Sequence, residues 1–212
     1  GSYYSSRYAG AGAVAGNNYG IISNVTAHVR VNGSKSVGGL VGRTSNGGRI
    51  EYSIATGKVT GYKNAGGLVG ELYEGGRVSR SYARGTVNGS INVGGLVGKQ
   101  GDSSFGDPNE VGTIERSYAT LNGDIEINGE SADVGGLVGI NGDSDVTDSY
   151  WDVNTTNQND SAGGTGLTTG EMKGDVAKTN MTGFDFTNIW DVVDTRDEIS
   201  YPFLRNNAQT PA

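Results

Sequence analysis

Val37-Gly38-Gly39-Leu40-Val41-Gly42 is a hexapeptide that the chain uses repeatedly. It returns as Ala65-Gly66-Gly67-Leu68-Val69-Gly70, Val93-Gly94-Gly95-Leu96-Val97-Gly98 and Val134-Gly135-Gly136-Leu137-Val138-Gly139. A worn copy, Ala11-Gly12-Ala13-Val14-Ala15-Gly16, precedes them. The second residue of each copy falls at 12, 38, 66, 94 and 135, in steps of 26, 28, 28 and 41. A second motif travels with the first: Ile50-Glu51-Tyr52-Ser53-Ile54-Ala55 recurs as Val78-Ser79-Arg80-Ser81-Tyr82-Ala83 and Ile114-Glu115-Arg116-Ser117-Tyr118-Ala119, and ends as Val146-Thr147-Asp148-Ser149-Tyr150-Trp151. A short third piece completes the unit, at Val31-Asn32-Gly33, Val59-Thr60-Gly61, Val87-Asn88-Gly89 and Ile127-Asn128-Gly129. The long step is the 28-residue unit with eight extra residues before Ile114 and five after it.

Three short apolar pieces per unit, each closed by Gly or Asn-Gly, predict three strands joined by turns, and none is long enough for a stable helix. The expected fold is all-β: a right-handed parallel β-solenoid of about five coils, one unit to a coil, spanning residues 1–153. Coils stack about 4.8 Å apart, so five make a rod of roughly 24 Å. Like positions then stack into ladders: Leu40, Leu68, Leu96 and Leu137 inward, with Val31, Val59, Val87 and Ile127 in a second inward column. Ser53, Ser81, Ser117 and Ser149, with Ala55, Ala83 and Ala119, suit a narrow part of the interior. The motif glycines are expected to supply positive φ at corners and close backbone approach. Tyr82, Tyr118 and Tyr150 form an aromatic ladder, read as a candidate ligand surface.

Composition agrees. Gly supplies 38 of 212 residues and Pro only 3, with no period of three, which excludes collagen. Val and Ile outnumber Leu by 31 to 8, as pleated strands favour. Cys is absent and His28 stands alone, excluding thiol catalysis, zinc fingers and paired-histidine zinc sites. His28 reads as a solvated strand residue. No apolar run reaches the ~18 residues of a membrane span. Gly1-Ser2 reads as the scar of a cleaved tag, and the chain as a piece of something longer. The net charge of −7 argues against nucleic acid as a partner. It is unevenly spread: residues 1–100 carry eleven Lys/Arg and three Asp/Glu, residues 101–212 five and twenty. That split either belongs to a solvated surface or allows head-to-tail attraction between neighbours.

A solenoid end exposes unpaired strand edges, so atypical terminal units are expected. Residues 2–8, with Tyr3, Tyr4 and Tyr8, belong to a preceding coil or cap it. Residues 154–212 form a capping segment. Residues 154–166 read as a loop; Thr168 with Glu171 signals a short helix; Phe184, Phe186, Ile189, Trp190, Ile199, Tyr201, Phe203 and Leu204 read as a plug over the last coil.

The Gly-Leu-any-Gly core of Gly39-Leu40-Val41-Gly42 and its full copies, the Ser-Tyr-Ala segments, the Ser149-Tyr150-Trp151-Asp152 ending and the Phe186-Thr187-Asn188-Ile189-Trp190 and Tyr201-Pro202-Phe203-Leu204 tail resemble the GLUG-motif repeat family. The resemblance covers nearly the whole chain. It implies secreted or cell-surface proteins of bacteria and archaea, among them adhesins of the filamentous haemagglutinin type and non-catalytic regions of immunoglobulin A-cleaving metallopeptidases. It implies no catalytic residues. The expected role is therefore an extracellular adhesin repeat that binds a surface glycan or protein ligand beside neighbouring domains of a longer chain, with no membrane insertion.

Two other readings stand beside it. A passive stalk needs no ligand and uses the charge split to self-associate. A carbohydrate-active enzyme needs two carboxylates about 5–9 Å apart, and no pair stands out from the surface charge. Ice binding is disfavoured because Arg84 interrupts the position shared by Thr56 and Thr120. The acidic insertions carry Asp102, Asp107, Glu110, Asp124, Glu126, Glu130 and Asp133. Asp143, Asp145 and Asp148 follow and form a candidate calcium site, though without the Gly and final Glu of an EF-hand loop. Asn24, Asn32, Asn88, Asn154, Asn159 and Asn180 head Asn-x-Ser/Thr sequons, as a glycosylated surface protein would have.

Overall fold

The computed structural model describes residues 10–101, 111–128, 133–142 and 144–207, and it is an all-β parallel solenoid. Each circuit crosses four faces, one more than the three strands expected. Face A holds Val31–Gly38, Lys58–Gly66, the pair Thr86–Gly89 and Ile91–Gly94, and the pair Glu126–Ile127 and Val134–Gly135. Face B holds Ala15–Asn18, Val41–Thr44, Val69–Leu72, Val97–Gln100 and Val138–Asn141. Face C holds Ile21–Ser23, Arg49–Glu51, Arg77–Ser79, Thr113–Glu115 and Asp145–Thr147. Face D begins with Thr26–Ala27, Ile54–Ala55 and Tyr82–Ala83, and ends with Tyr118–Ala119, Tyr150–Asp152 and Thr165–Leu167. Five rungs on faces B and C place the first and last four turns apart.

The extra face arises because each main motif turns a corner inside itself. Val37-Gly38 closes face A and Val41-Gly42 opens face B; Ile50-Glu51 lies on face C and Ile54-Ala55 on face D. The short third piece is no separate strand in the second and third coils, where it runs on into the hexapeptide.

Register follows the repeat. Val41, Val69, Val97 and Val138 pair in series, as do Ile50, Val78, Ile114 and Val146. Thr113–Glu115 still pairs with Arg77–Ser79, so the eight-residue insertion leaves the register intact. Leu40, Leu68, Leu96 and Leu137 are fully buried and form the main core with the face B valines, the face C column and Ala55, Ala83 and Ala119. A second core lies under face A, built by Val31, Val37 and Val59 and, further along, by Ala65, Val87 and Val93.

The motif glycines serve close approach alone. Positive φ falls instead on Asn24, Tyr52, Arg80, Arg116 and Asp148 between faces C and D, on Asn46-Gly47, Glu74-Gly75 and Gly101 between faces B and C, and on Ser36, Asn64 and Asn92 within face A. A Cβ on Gly39 would overlap the Gly67 carbonyl oxygen, and one on Gly67 the Gly95 carbonyl oxygen while lying 2.7 Å from the Ala83 methyl. Gly and Ala therefore face each other across a thin part of the coil. In the last rung Trp151 takes the place of the alanine, paired with Ala119, and its indole lies against Gly136 and Gly166. That substitution closes the core.

The serine column does more than fill narrow space. The Ser53 amide donates to Ser81 Oγ (3.0 Å), Ser81 to Ser117 Oγ (3.2 Å) and Ser117 to Ser149 Oγ (3.2 Å). Each hydroxyl in turn donates to the carbonyl two residues before it, at 2.8–2.9 Å. A hydroxyl both accepts and donates, so one small side chain satisfies two backbone groups that the corner would otherwise leave buried and unpaired.

The C-terminal segment divides into two parts, and the aromatic one is not a plug over the last coil. Residues 152–167 cover the end. Asp152 caps a short helix, α1 (Val153–Thr156), and the Thr165–Leu167 strand adds a partial rung on face D. Ser161 Oγ accepts the Leu137 and Val138 amides at 3.2 and 2.9 Å, occupying the exposed edge of face B. Residues 168–207 form a strap that turns back along the outside of face D. An apolar cluster after a rod suggests an end cap, which is the sequence expectation for its aromatics. They instead cover the outward column of Ile54, Tyr82, Tyr118 and Tyr150. The short helix is present: Thr168 and Glu171 form a boxed turn (2.8 Å, Thr168 amide to Oε2), and helix α2 (Gly174–Asn180) begins after it. The strap also carries an antiparallel pair, Trp190–Asp191 with Phe203–Leu204. It ends beside the first coils, where Asn207 accepts from Thr26 Oγ1 (3.0 Å) and donates to the Tyr52 carbonyl (3.3 Å). Residues 2–8 lie outside the described residues.

Candidate functional site

Tyr82, Tyr118 and Tyr150 do stack in register, with the first two rings 4.7 Å apart and 9° from parallel. They are not a ligand surface. All three are buried under the strap, where Trp190 lies 5.7 Å from the Tyr118 ring and Phe184 meets Tyr150 edge-on at 5.7 Å. Tyr118 donates to the Pro202 carbonyl, and Tyr150 to the Thr182 carbonyl at 2.9 Å. Burial pushes the Tyr82 phenol up to about 12 and the Tyr118 phenol well above its usual range. Tyr201 is raised too, by burial and by its hydrogen bond to Asp152 Oδ2 (2.5 Å). Asp152 is fully buried and satisfied: Thr169 Oγ1 donates to the same oxygen (2.7 Å), and the Asn154 and Thr155 amides to the other. It pins the end cover and the strap to one point.

Of the candidate calcium ligands, Asp145 opens a face C strand with its side exposed and Asp148 occupies an exposed corner. Asp143 lies outside the described residues, as do Asp102, Asp107, Glu110 and Glu130. Among the described residues no three acidic or histidine side chains gather as a metal site. His28 is exposed and bonds Thr56 Oγ1. Asn88 is buried against Glu126, so its sequon is closed in the folded chain.

What stays outside is a set of columns whose chemistry changes from coil to coil. The corner column runs Asn24, Tyr52, Arg80, Arg116, Asp148: amide, phenol, two cations, carboxylate. Glu115 gathers three guanidinium groups, Arg77 at 3.0 Å, Arg116 at 3.3 Å and Arg80 at 3.8 Å, and the Arg80 guanidinium also lies 5.6 Å over the Tyr52 ring. On face A, Lys35 and Lys63 pair in register beside the exposed Tyr62. On face B the surface is closed by a buried ion pair, Arg43 with Glu71 at 3.2 Å, which Ser36 Oγ supports at 2.8 Å. Sequence reading missed the corner column, yet a signal was present: one residue varies freely just before the serine of an otherwise steady motif.

A family model described as the GLUG motif matches residues 33–60 and 61–88. Each match is one full circuit, from the third piece on face A through faces B, C and D and back. No curated protein and no solved structure matches the chain.

Proposed function

We propose that this chain, which belongs to the GLUG-motif repeat family, is a display scaffold of an extracellular adhesin. The observation that carries the reading is the contrast between inside and outside. Inner columns stay apolar from rung to rung, as in the four buried leucines and the Ile/Val column of face C, whereas the corner column passes from amide to phenol to cation to carboxylate. A uniform interior fixes geometry, and a variable exterior on fixed geometry is how repeat scaffolds build binding surfaces. The partner is a surface glycan or protein, engaged by the corner column and the Lys35/Lys63/Tyr62 side of face A. Extracellular placement rests on the family resemblance; no described helix is long and apolar enough to cross a membrane. The resemblance implies no catalytic residues in the repeats, and no step of chemistry is assigned to them.

A glycan and matrix-protein array at physiological salt tests the reading. Saturable binding without turnover supports it, and a blank array with folded protein defeats it. A parallel array with chelator tests the calcium proposal at Asp143, Asp145 and Asp148: lost binding supports the metal, unchanged binding removes it.

A second reading, the self-associating stalk, is favoured by the charge split between the two halves. The strap tempers it, since its acidic residues return along the basic coils. Attraction of this kind weakens with salt. Sedimentation at low and high salt should show association only at low salt if the stalk reading holds.

A further inference from the structure

Where the strap comes to rest against the first two coils, it leaves a groove of about 230 Å³. Four amides line it, Asn24, Asn188, Asn206 and Asn207, together with Tyr52; Ile189 and Leu204 complete the wall. No charged side chain belongs to the lining. The nearest cation in the corner column, Arg80, is engaged with the Tyr52 ring and Glu115.

We propose that this groove binds one neutral sugar ring. The inference rests on the display reading above and gives it a subsite. A primary amide offers donors and an acceptor at the same place, and a hydroxyl needs both. Four amides around one small groove therefore match a polyhydroxylated, uncharged ligand. A phosphate or carboxylate would call for a cation in the wall, and a hydrocarbon for a lining without amides. Tyr52, Ile189 and Leu204 supply apolar surface for the C–H face of the ring.

The groove is also preset. Asn207 is held on both sides of its amide, by Thr26 and by the Tyr52 carbonyl. Asn188 donates to Asp185 Oδ2 at 2.9 Å, and Asn24 to Ser23 Oγ at 3.1 Å. Arg205, one residue before Asn206, donates from Nε to the Trp190 carbonyl (3.0 Å) and pairs with Asp191 (2.7 Å), which fixes the last turn of the strap. Side chains already held in place lose less freedom when a ligand arrives. The room suits one ring rather than a chain, so the groove reads a terminal or branching sugar.

The test uses the whole 212-residue chain in two arms. In the first, NMR follows side-chain amide signals during titration with glucose, galactose, mannose and N-acetylglucosamine. At least one sugar should shift the Asn188 and Asn206 signals saturably. The Asn188→Ala/Asn206→Ala double variant, at exposed positions, should weaken that sugar about tenfold or more with its thermal melt unchanged. Tyr52→Asn is the second variant: Asn24 already holds the equivalent corner with positive φ, so the backbone tolerates the change. In the second arm, the same variants go onto the glycan array. No shift with any of the four sugars, or shifts that the variants leave intact, overturns the groove. Array binding that survives in the variants overturns the groove and leaves the display reading standing. A groove that titrates while the array stays blank supports the groove and defeats the display reading.

Discussion

At the scale of single residues, the corner serine and the hexapeptide glycines carry constraints of different kinds. Ser81 Oγ accepts the Ser53 amide and donates to the Ser79 carbonyl, so Ser81→Ala strands both in a dry corner. A buried group left unpaired costs about 1–3 kcal/mol. Chemical denaturation should show that loss for Ser81→Ala and almost none for Ser34→Ala, which is exposed. Gly67→Ala should be worse, because its methyl meets backbone on one side and Ala83 on the other. A cost above about 3 kcal/mol is expected, against little change for Gly20→Ala, where nothing lies within 4 Å of the added carbon. The repeat made both residues visible in the sequence, and with them the close approach that the glycines serve, but not the hydrogen bonding of the serine. Positive φ is usually sought at glycine, and here Tyr52, Arg80 and Arg116 carry it. The serine that follows satisfies the corner, so the residue before it is free to vary.

At the scale of elements, the strap and the aromatic ladder explain each other. On face D the alanines point into the core, so the tyrosines beside them must point out. Ile54, Tyr82, Tyr118 and Tyr150 in one outward column make an apolar stripe that needs a cover, and Phe184, Trp190 and Leu204 supply it. Both halves were legible in the sequence; their pairing was not, because nothing local says which surface a distant cluster will meet. Trp190→Ala removes the largest of the fully buried side chains and should cost about 3–5 kcal/mol. Dye binding should rise as the strap loosens, while the far-UV signal of the solenoid persists. Alkali attacks the same contact. The folded state keeps these phenols protonated to higher pH than the unfolded chain, whose tyrosines titrate near 10. Their burial thus stabilises in full below about pH 10, and the contribution fades as the pH rises toward about 12, the value of Tyr82. Near-UV dichroism should therefore collapse in that window together with late phenolate absorbance. Phenolate appearing from these residues at pH 10 with the dichroism intact would contradict the burial.

At the scale of the whole molecule, each coil touches only its neighbours and the strap. Stability should therefore grade along the axis. The rung of Ile21–Ser23 pairs with Arg49–Glu51, and Ile21 is 70% exposed, whereas Arg77–Ser79 is paired on both sides. Amide exchange should be fastest at the first rung and slowest in the middle coils; uniform protection would mean that the rod opens as one unit. The coil count followed directly from the spacing of the repeats, because stacking forces like onto like. The path of residues 168–207 did not, since it depends on a surface that exists only once the rod is built. That path has a mechanical consequence. Ala11 bridges to Val37 in the first coils, and Asn207, after running back the length of face D, bonds Thr26 and Tyr52 there. A force applied between residues 10 and 207 thus enters and leaves at the same end of the rod. It would shear the strap from the first two coils before it stretched a single rung, and the far end, closed by Trp151 and Ser161, would bear no tension at all.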